Sequence, residues 1–473
     1  MNFVSEAFVL LFAVVFLARL TIGRRKNEPV YLGLLIAAGI VFYAWHVPQY
    51  ILILLASTTV DYFAARALGR VPRDWQRQRR LILAASLTTN LGLLAFFKYA
   101  NFAIRVASDG AHLFGIPVDL GGLSVVLPIG ISFYTFEAMS YTIDVYLGQI
   151  EPVRSFPQFF LFISFFPHLV AGPIVRAWEF IPQIRRPRRL RAVALYEGVW
   201  LITSGYFLKT VCADNLAVFV NQNWHRGYDP ATNSLTAVWL GLLFSAQIFA
   251  DFAGYSNIAR GLAYLLGFRL PVNFNAPYIA TSFRNFWERW HITLSRWLRD
   301  YLYIPLGGSR LTRQRTYANL LIVMLLGGLW HGAAYTFIIW GGLHGAALAI
   351  ERALGLHRER ALPHGPLVRV VWPVVVQIVV LAAWVFFRSE TLPAAVQFIG
   401  NIARLRVGPL PAWAWSSAVF MLPIVWLHAW AWIEERFEIG WSLTPVRAAM
   451  TAAMLFAILA LHGQGGAFIY FQF

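Results

Sequence analysis

The stretch LLGGLWHGAAYTFIIWGGLHG, Leu325–Gly345, decides how this chain must be read. It is as apolar as a helix that crosses a bilayer, yet an imidazole, His331, stands inside it between Trp330 and Gly332. Ionisable groups within membrane segments are costly and tend to mark pathways or sites. Gly327, Gly328, Gly332, Gly341 and Gly342 surround the ring. Glycine lets another backbone or a thin substrate come close. Residue type alone leaves two readings open: a histidine bonded to a neighbouring helix for packing, or one that does chemistry.

The rest of the chain has the same character. It is 59% hydrophobic and 13% charged, against about 25% charged in soluble domains. Nine further apolar runs approach or exceed the roughly 20 residues that cross a bilayer as a helix. They are Phe8–Ile22, Val30–Val47, Tyr50–Ala65, Leu81–Phe97, Ala192–Val220, Leu235–Leu266, Val370–Phe387, Trp413–Ile433 and Ala448–Leu461. Backbone groups in lipid need internal partners, which selects helices. The composition therefore predicts an all-α, polytopic membrane protein, with residues 1–473 as a single integral-membrane domain. The first run lacks a small-residue cleavage site and reads as a retained span.

The net charge of +17 fits the positive-inside rule better than nucleic-acid binding. Arginines crowd into connectors at Arg24–Lys26, Arg70–Arg80, Arg185–Arg191, Arg310–Arg315 and Arg352–Arg360. These connectors are expected in the cytoplasm, with the N-terminus outside. Cys212 is the one cysteine, so neither a disulfide framework nor a thiolate metal site is available. No His-x-x-x-His pattern, Gly-x-Ser-x-Gly elbow or Walker glycine loop occurs, so no metal site, soluble-hydrolase triad or ATP chemistry is expected.

Two segments depart from an up-and-down bundle. Phe156–Phe180 is apolar but broken at Pro167 and at Gly172-Pro173. With cytoplasmic flanks it would enter the membrane and return, which irregular backbone does only inside protein or a water-filled cavity. Asn285–Gly308 places Phe286, Trp290, Leu294, Trp297 and Tyr301 on one helical face, and Glu288, Arg289, Arg296 and Arg299 elsewhere. That pattern predicts an amphipathic helix at the interface, with His291 at the edge of the apolar arc. A solvated interfacial histidine remains the plain alternative for His291. In Ile248–Gly261 the polar residues Asp251, Tyr255, Ser256 and Asn257 interrupt an apolar span. Asp251 and Tyr255, four apart, share a face. Asp251 either orients a histidine or is satisfied in a pair of its own. Arg289, Arg296 and Arg299 are candidates for an anionic donor, and a purely topological role suits them equally.

Taken together, FWERWHITLSRWLRDYLYIPLGG and MLLGGLWHGAAYTFIIWG resemble the two hallmark segments of membrane-bound O-acyltransferases. LPIGISFYTFEAMSYTIDVY, FFPHLVAGPIVR, DFAGYSNIARGL, NFNAPYIA and the terminal FIYFQF follow the same family in order. The nearest branch serves bacterial alginate O-acetylation, and the resemblance covers nearly the whole chain. It implies a bowl of tilted transmembrane helices around a central channel, with re-entrant and interfacial helices. It implies His331 as the catalytic residue and His291 as the second signature histidine. Asp251, Tyr255, Asn257, Trp290, Arg289, Arg296 and Trp330 are the expected substrate-contacting set.

The expected function is acetyl transfer from a cytoplasmic thioester, acetyl-CoA or an acyl carrier, across a bacterial inner membrane to an exopolysaccharide, alginate first. No bound cofactor is expected. The expected partners are the bilayer, a periplasmic SGNH-type acetyltransferase and the donor or its carrier, with no nucleic acid. Peptidoglycan, cellulose or teichoic acid (as D-alanine) are alternative acceptors. A proton-coupled transporter is the alternative of another class, and the chain lacks the paired broken helices that transporters usually show.

Overall fold

The computed structural model describes residues 1–22, 28–116, 121–185, 192–357, 365–437, 444–463 and 468–469. Connector residues 24–26, 186–191 and 358–360, and tail residues 470–473, lie outside this set. Among the described residues every regular element is helical. Helices occupy each of the nine apolar runs, such as Glu6–Ile22, Tyr50–Leu68, Ser234–Leu265 and Ala412–Phe437. Among the described residues, five helices are long and apolar enough to cross a membrane.

The surface agrees with that reading. The helix Pro366–Arg388 exposes Leu367, Val370, Val371, Val374 and Ile378. Three- and four-residue spacing makes these one stripe. Exposed apolar stripes of this kind suit a hydrocarbon environment.

The chain clusters into two compact units, Met1–Gly198 with Ala259–Pro271, and Val199–Ile258 with Val272–Phe473. In the first, Asp61 is fully buried and ties three helices together. It accepts hydrogen bonds from Ser86 Oγ at 2.5 Å, Asn90 Nδ2 at 2.8 Å and Thr142 Oγ1 at 2.9 Å. Buried polar groups need such partners, because an orphan costs about 1–3 kcal/mol.

The broken segment of the first unit matches its expectation of irregular backbone enclosed by protein. The helix Phe156–Ser164 ends where Phe165 turns extended, and Phe159–Ala177 stays buried throughout. His168 Nε2 reaches the Phe162 carbonyl at 2.9 Å and lies 3.5 Å from Glu137 Oε2. Glu137 Oε1 accepts the Val175 N–H at 2.9 Å. The proline and glycine interruptions free backbone groups, and His168 and Glu137 take up two of them.

In the second unit the expected interfacial helix over Asn285–Gly308 is corrected. The segment splits into Phe283–Arg289 and Ile292–Leu298, followed by a π turn at Arg299–Tyr303. Ser282 caps the first piece by accepting the Asn285 N–H at 3.0 Å. The break falls at Trp290 and His291, both fully buried. His291 adopts φ +41°, a left-handed conformation uncommon outside glycine. Pairing with an earlier strand of irregular chain enforces it: Ile292 N–H donates to Asn273 O at 2.9 Å and Asn275 N–H to Arg289 O at 3.0 Å. The apolar face expected to lie on a membrane instead enters the core.

Candidate active site

His331 closes the helix Arg313–His331, and Gly332 leaves it in extended conformation. Thr312 caps the start of that helix by accepting the Arg315 N–H at 3.2 Å. The chain turns within three residues into Tyr335–Ala353, so the stretch expected as one span with a histidine in its middle is the tip of a helical hairpin. The glycines also have a different task from admitting a substrate. A methyl on Gly328 would collide with the Phe337 carbonyl oxygen, and one on Gly341 with that of Met324. The glycines of this seam let the two helices touch backbone to backbone.

Rings from three helices enclose His331, which is 3% exposed. Trp330, Trp340 and Phe387 stand edge-on to it, with centroids at 4.9, 5.0 and 5.5 Å. The second imidazole, His291, is 6.2 Å away, and Trp330 contacts both rings. Thus two histidines 40 positions apart in the chain meet because the backbone breaks at His291 and the hairpin ends at His331.

The His291 ring is oriented by Asn273. Its Nδ1 lies 3.2 Å from Asn273 Oδ1, which also accepts from Thr293 Oγ1 at 2.9 Å, while Asn273 Nδ2 donates to Ser256 Oγ at 3.2 Å. An oxygen in that position is an acceptor, so Nδ1 carries the proton and Nε2 is the basic nitrogen. Burial, partly offset by a backbone hydrogen bond, pushes the His291 imidazole down to about 3. The ring is therefore neutral across the physiological range.

The remaining expected residues divide into three places. Trp290 joins the histidines, packed on Phe274 and Trp384 at 5.0 and 4.8 Å. Asp251 and Tyr255 sit one layer away. Phe252, between them in the chain, stands edge-on to His291 at 4.7 Å and meets Phe468 at 5.6 Å. Tyr255 packs on Phe468 at 4.6 Å. Asn257 is half-buried. Arg289 faces elsewhere, in a bidentate pair with Glu435 at 2.8 and 2.7 Å. Arg299 is paired with Asp300, and Arg296 is exposed.

Asp251 has a partner that sequence reading passed over. Lys209 Nζ lies 2.7 Å from both Asp251 Oδ1 and Asp214 Oδ1, in a buried cluster. Lys209 reaches Asp214 across five positions because Phe207–Ala213 is a π turn, which changes the helical period. The other oxygen of Asp251 accepts the Ile469 N–H at 2.7 Å. Phe468 and Ile469 are buried, so the described part of the tail docks in the interior. Asn273, Phe252 and Trp340 lie inside stretches that carry the family resemblance but were not singled out there, and Phe387 lies outside all of them. A lone lysine in an apolar run and an asparagine in a buried loop were the available signals. Among the described residues no group of three His, Cys, Asp or Glu is placed to hold a metal.

Residues 149–388 match MBOAT, the membrane-bound O-acyltransferase family, and hold both histidines. The chain belongs to this family. It is 42% identical to a probable alginate O-acetylase AlgI of Pseudomonas aeruginosa over 402 residues, 84% of this chain and 73% of that protein. It is 37% identical to a probable alginate O-acetylase AlgI of Pseudomonas putida over the full length of both chains. A peptidoglycan O-acetyltransferase of Helicobacter pylori is 35% identical over 85% of this chain and 80% of that protein. As a member of the membrane-bound O-acyltransferases, the chain is a multi-helix membrane protein and an acyltransferase.

Proposed function

We propose that the chain transfers acetyl groups from a cytoplasmic thioester across the inner membrane for O-acetylation of an exopolysaccharide, alginate, with His331 as the catalytic base. The observation that carries this reading is the pairing of His331 with His291 at the hairpin tip, in a member of the family with two alginate O-acetylase relatives. In the step, a ring nitrogen of His331 takes the proton as the acceptor hydroxyl oxygen bonds to the thioester carbonyl carbon. The C–S bond then breaks, and the leaving thiolate receives that proton from the imidazolium. General-base help of this kind is worth roughly 10²–10⁴ in rate. His291, fixed by Asn273, is the positioning residue beside it. The rings of Trp330 and Trp340 exclude water that would otherwise hydrolyse the thioester. Because the His331 ring is 3% exposed, a substrate reaches it only when those rings yield.

The donor is acetyl-CoA or an acyl carrier thioester, and a periplasmic SGNH-type acetyltransferase is the partner that receives the group. The test is reconstitution in proteoliposomes with a labelled acetyl donor, that partner and an acceptor panel of alginate and peptidoglycan. Label should pass to alginate, and His331→Ala should lower transfer by roughly 10²–10⁴. Wild-type rates from His331→Ala would sink the assignment of the base, and preference for peptidoglycan would overturn the choice of acceptor.

A further inference from the structure

Far from the histidines in the chain, the first unit carries a hollow of about 540 Å³ lined by Arg66, Arg70, Arg73, Arg79 and Arg154 against a single carboxylate, Glu151. Clustered guanidiniums repel one another, weakly where water screens them, as at the exposed Arg70, Arg73 and Arg154, and an anion or a hydrogen-bond acceptor relieves that repulsion. For Arg79 the compensation is internal. It is buried, and donates to the carbonyls of Leu68 at 2.7 Å, Val71 at 3.2 Å and Tyr146 at 2.7 Å. These bonds pin the end of Tyr50–Leu68, the connector after it and the end of Ile131–Leu147 to one another, and so form the wall.

The other four arginines are not used in this way. Among the described residues none of Arg66, Arg70, Arg73 and Arg154 forms an ion pair with a carboxylate. Their placement is nevertheless built. Tyr62 OH donates to the Arg154 carbonyl at 2.6 Å and holds that backbone at the rim. The Arg73 guanidinium lies over Gly148, where a Cβ would come within 2.6 Å of Nη2. Gly148 itself sits at φ +73°, so glycine there both makes the turn and leaves space for the guanidinium. An adjoining hollow of about 460 Å³ shares Glu151, Pro152 and Arg154 and adds Arg185 and Trp178. Arg185 therefore lies close to the arginines of the Arg70–Arg80 connector in this unit.

The geometry points to a phosphate-binding pocket formed by Arg66, Arg70, Arg73 and Arg154, taking a phosphate ester or diphosphate. Guanidiniums bind phosphate oxygens through paired, charge-assisted hydrogen bonds, and four of them suit more than one phosphate oxygen pair. Two sources present this chemistry at a membrane face. One is a free phosphorylated molecule from the cytoplasm. The other is an anionic phospholipid headgroup, whose level is suggested by the exposed Trp75 and Trp178, residues typical of the interfacial belt. The pocket does not depend on the acyl-transfer reading.

The experiment uses the full chain in phosphatidylcholine nanodiscs and measures binding of ³²P-pyrophosphate. A second arm uses nanodiscs doped with phosphatidylglycerol and counts retained lipid by native mass spectrometry. The variants are Arg70→Gln with Arg73→Gln, and separately Arg154→Gln; Arg313→Gln with Arg315→Gln, in the second unit, is the control. Saturable pyrophosphate binding that weakens at least about tenfold in the first variant, the loss expected for one charge-assisted bond, and is unchanged in the control supports the free source. Phosphatidylglycerol retention lost in the same variant supports the lipid source. Binding of neither probe, or binding equal in all variants, overturns the pocket. Thermal unfolding of each variant confirms that the fold is kept, and Arg154→Gln decides the matter should the double variant not fold.

Discussion

Each unit breaks a helix at a buried histidine, His168 in the first and His291 in the second, and the two breaks end differently. In the first, His168 is bonded to the Phe162 carbonyl and faces the Glu137 carboxylate, whose other oxygen holds the Val175 N–H. That ring and carboxylate mend the backbone that proline and glycine interrupt. In the second, the break is itself the device. It turns His291 inward at φ +41° and presents it to an amide oxygen and a second imidazole, with no carboxylate bonded to the ring. A buried histidine at a helix break is thus not a site by position. On the proposed reading, what stands opposite the ring separates a structural bond from a reactive pair.

The comparison is broken most directly at His331. His331→Ala should lower acetyl transfer by roughly 10²–10⁴ with little change in thermal unfolding. A matching loss from His168→Ala with its stability intact would erase the distinction. Glu137→Ala should act the other way. It leaves the buried Val175 N–H without its acceptor, at a cost of about 1–3 kcal/mol, read as a lower unfolding temperature in detergent, while transfer per folded molecule is kept. Asn273→Ala sharpens the second break by releasing His291. Besides its bonds to Thr293 and Ser256, it removes the one to His291, worth about 0.5–1.5 kcal/mol, so kcat should fall by up to about tenfold with KM for the donor unchanged; a loss confined to stability would make Asn273 merely structural. The smallest effect is expected at Arg289→Ala, beside the break. Its partner Glu435 is 47% exposed, and pairs of this kind are worth at most about 1 kcal/mol, so transfer should stay within about fivefold of wild type. A large loss of donor affinity would restore Arg289 as a donor contact.

Much of the fold was legible because lipid leaves few choices. Leu235–Leu266 and Trp413–Ile433 announce helices by length and apolarity alone, and the structure has Ser234–Leu265 and Ala412–Phe437. Pro167 and Gly172-Pro173 announced irregular backbone for the same local reason. The candidate site was legible only as residue types. Nothing near His291 signals a left-handed residue, since neither glycine nor proline stands between Asn285 and Ile304. Hydrogen bonds from Ile292 to Asn273 and from Asn275 to Arg289 impose it. The ion cluster at Asp251 was hidden similarly. Its lysine is 42 positions earlier, and its contact with Asp214 depends on a π turn that helical periodicity does not anticipate.

The seam at Gly328 and Gly341 limits how this protein can change. Where two main chains already touch, no larger residue can be accepted and no smaller one exists, so drift along that line is closed. If His331 is the base proposed above, tolerance for a bulkier acyl cargo has to be sought in Trp330, Trp340 and Phe387, whose rings surround it without forming the glycine seam.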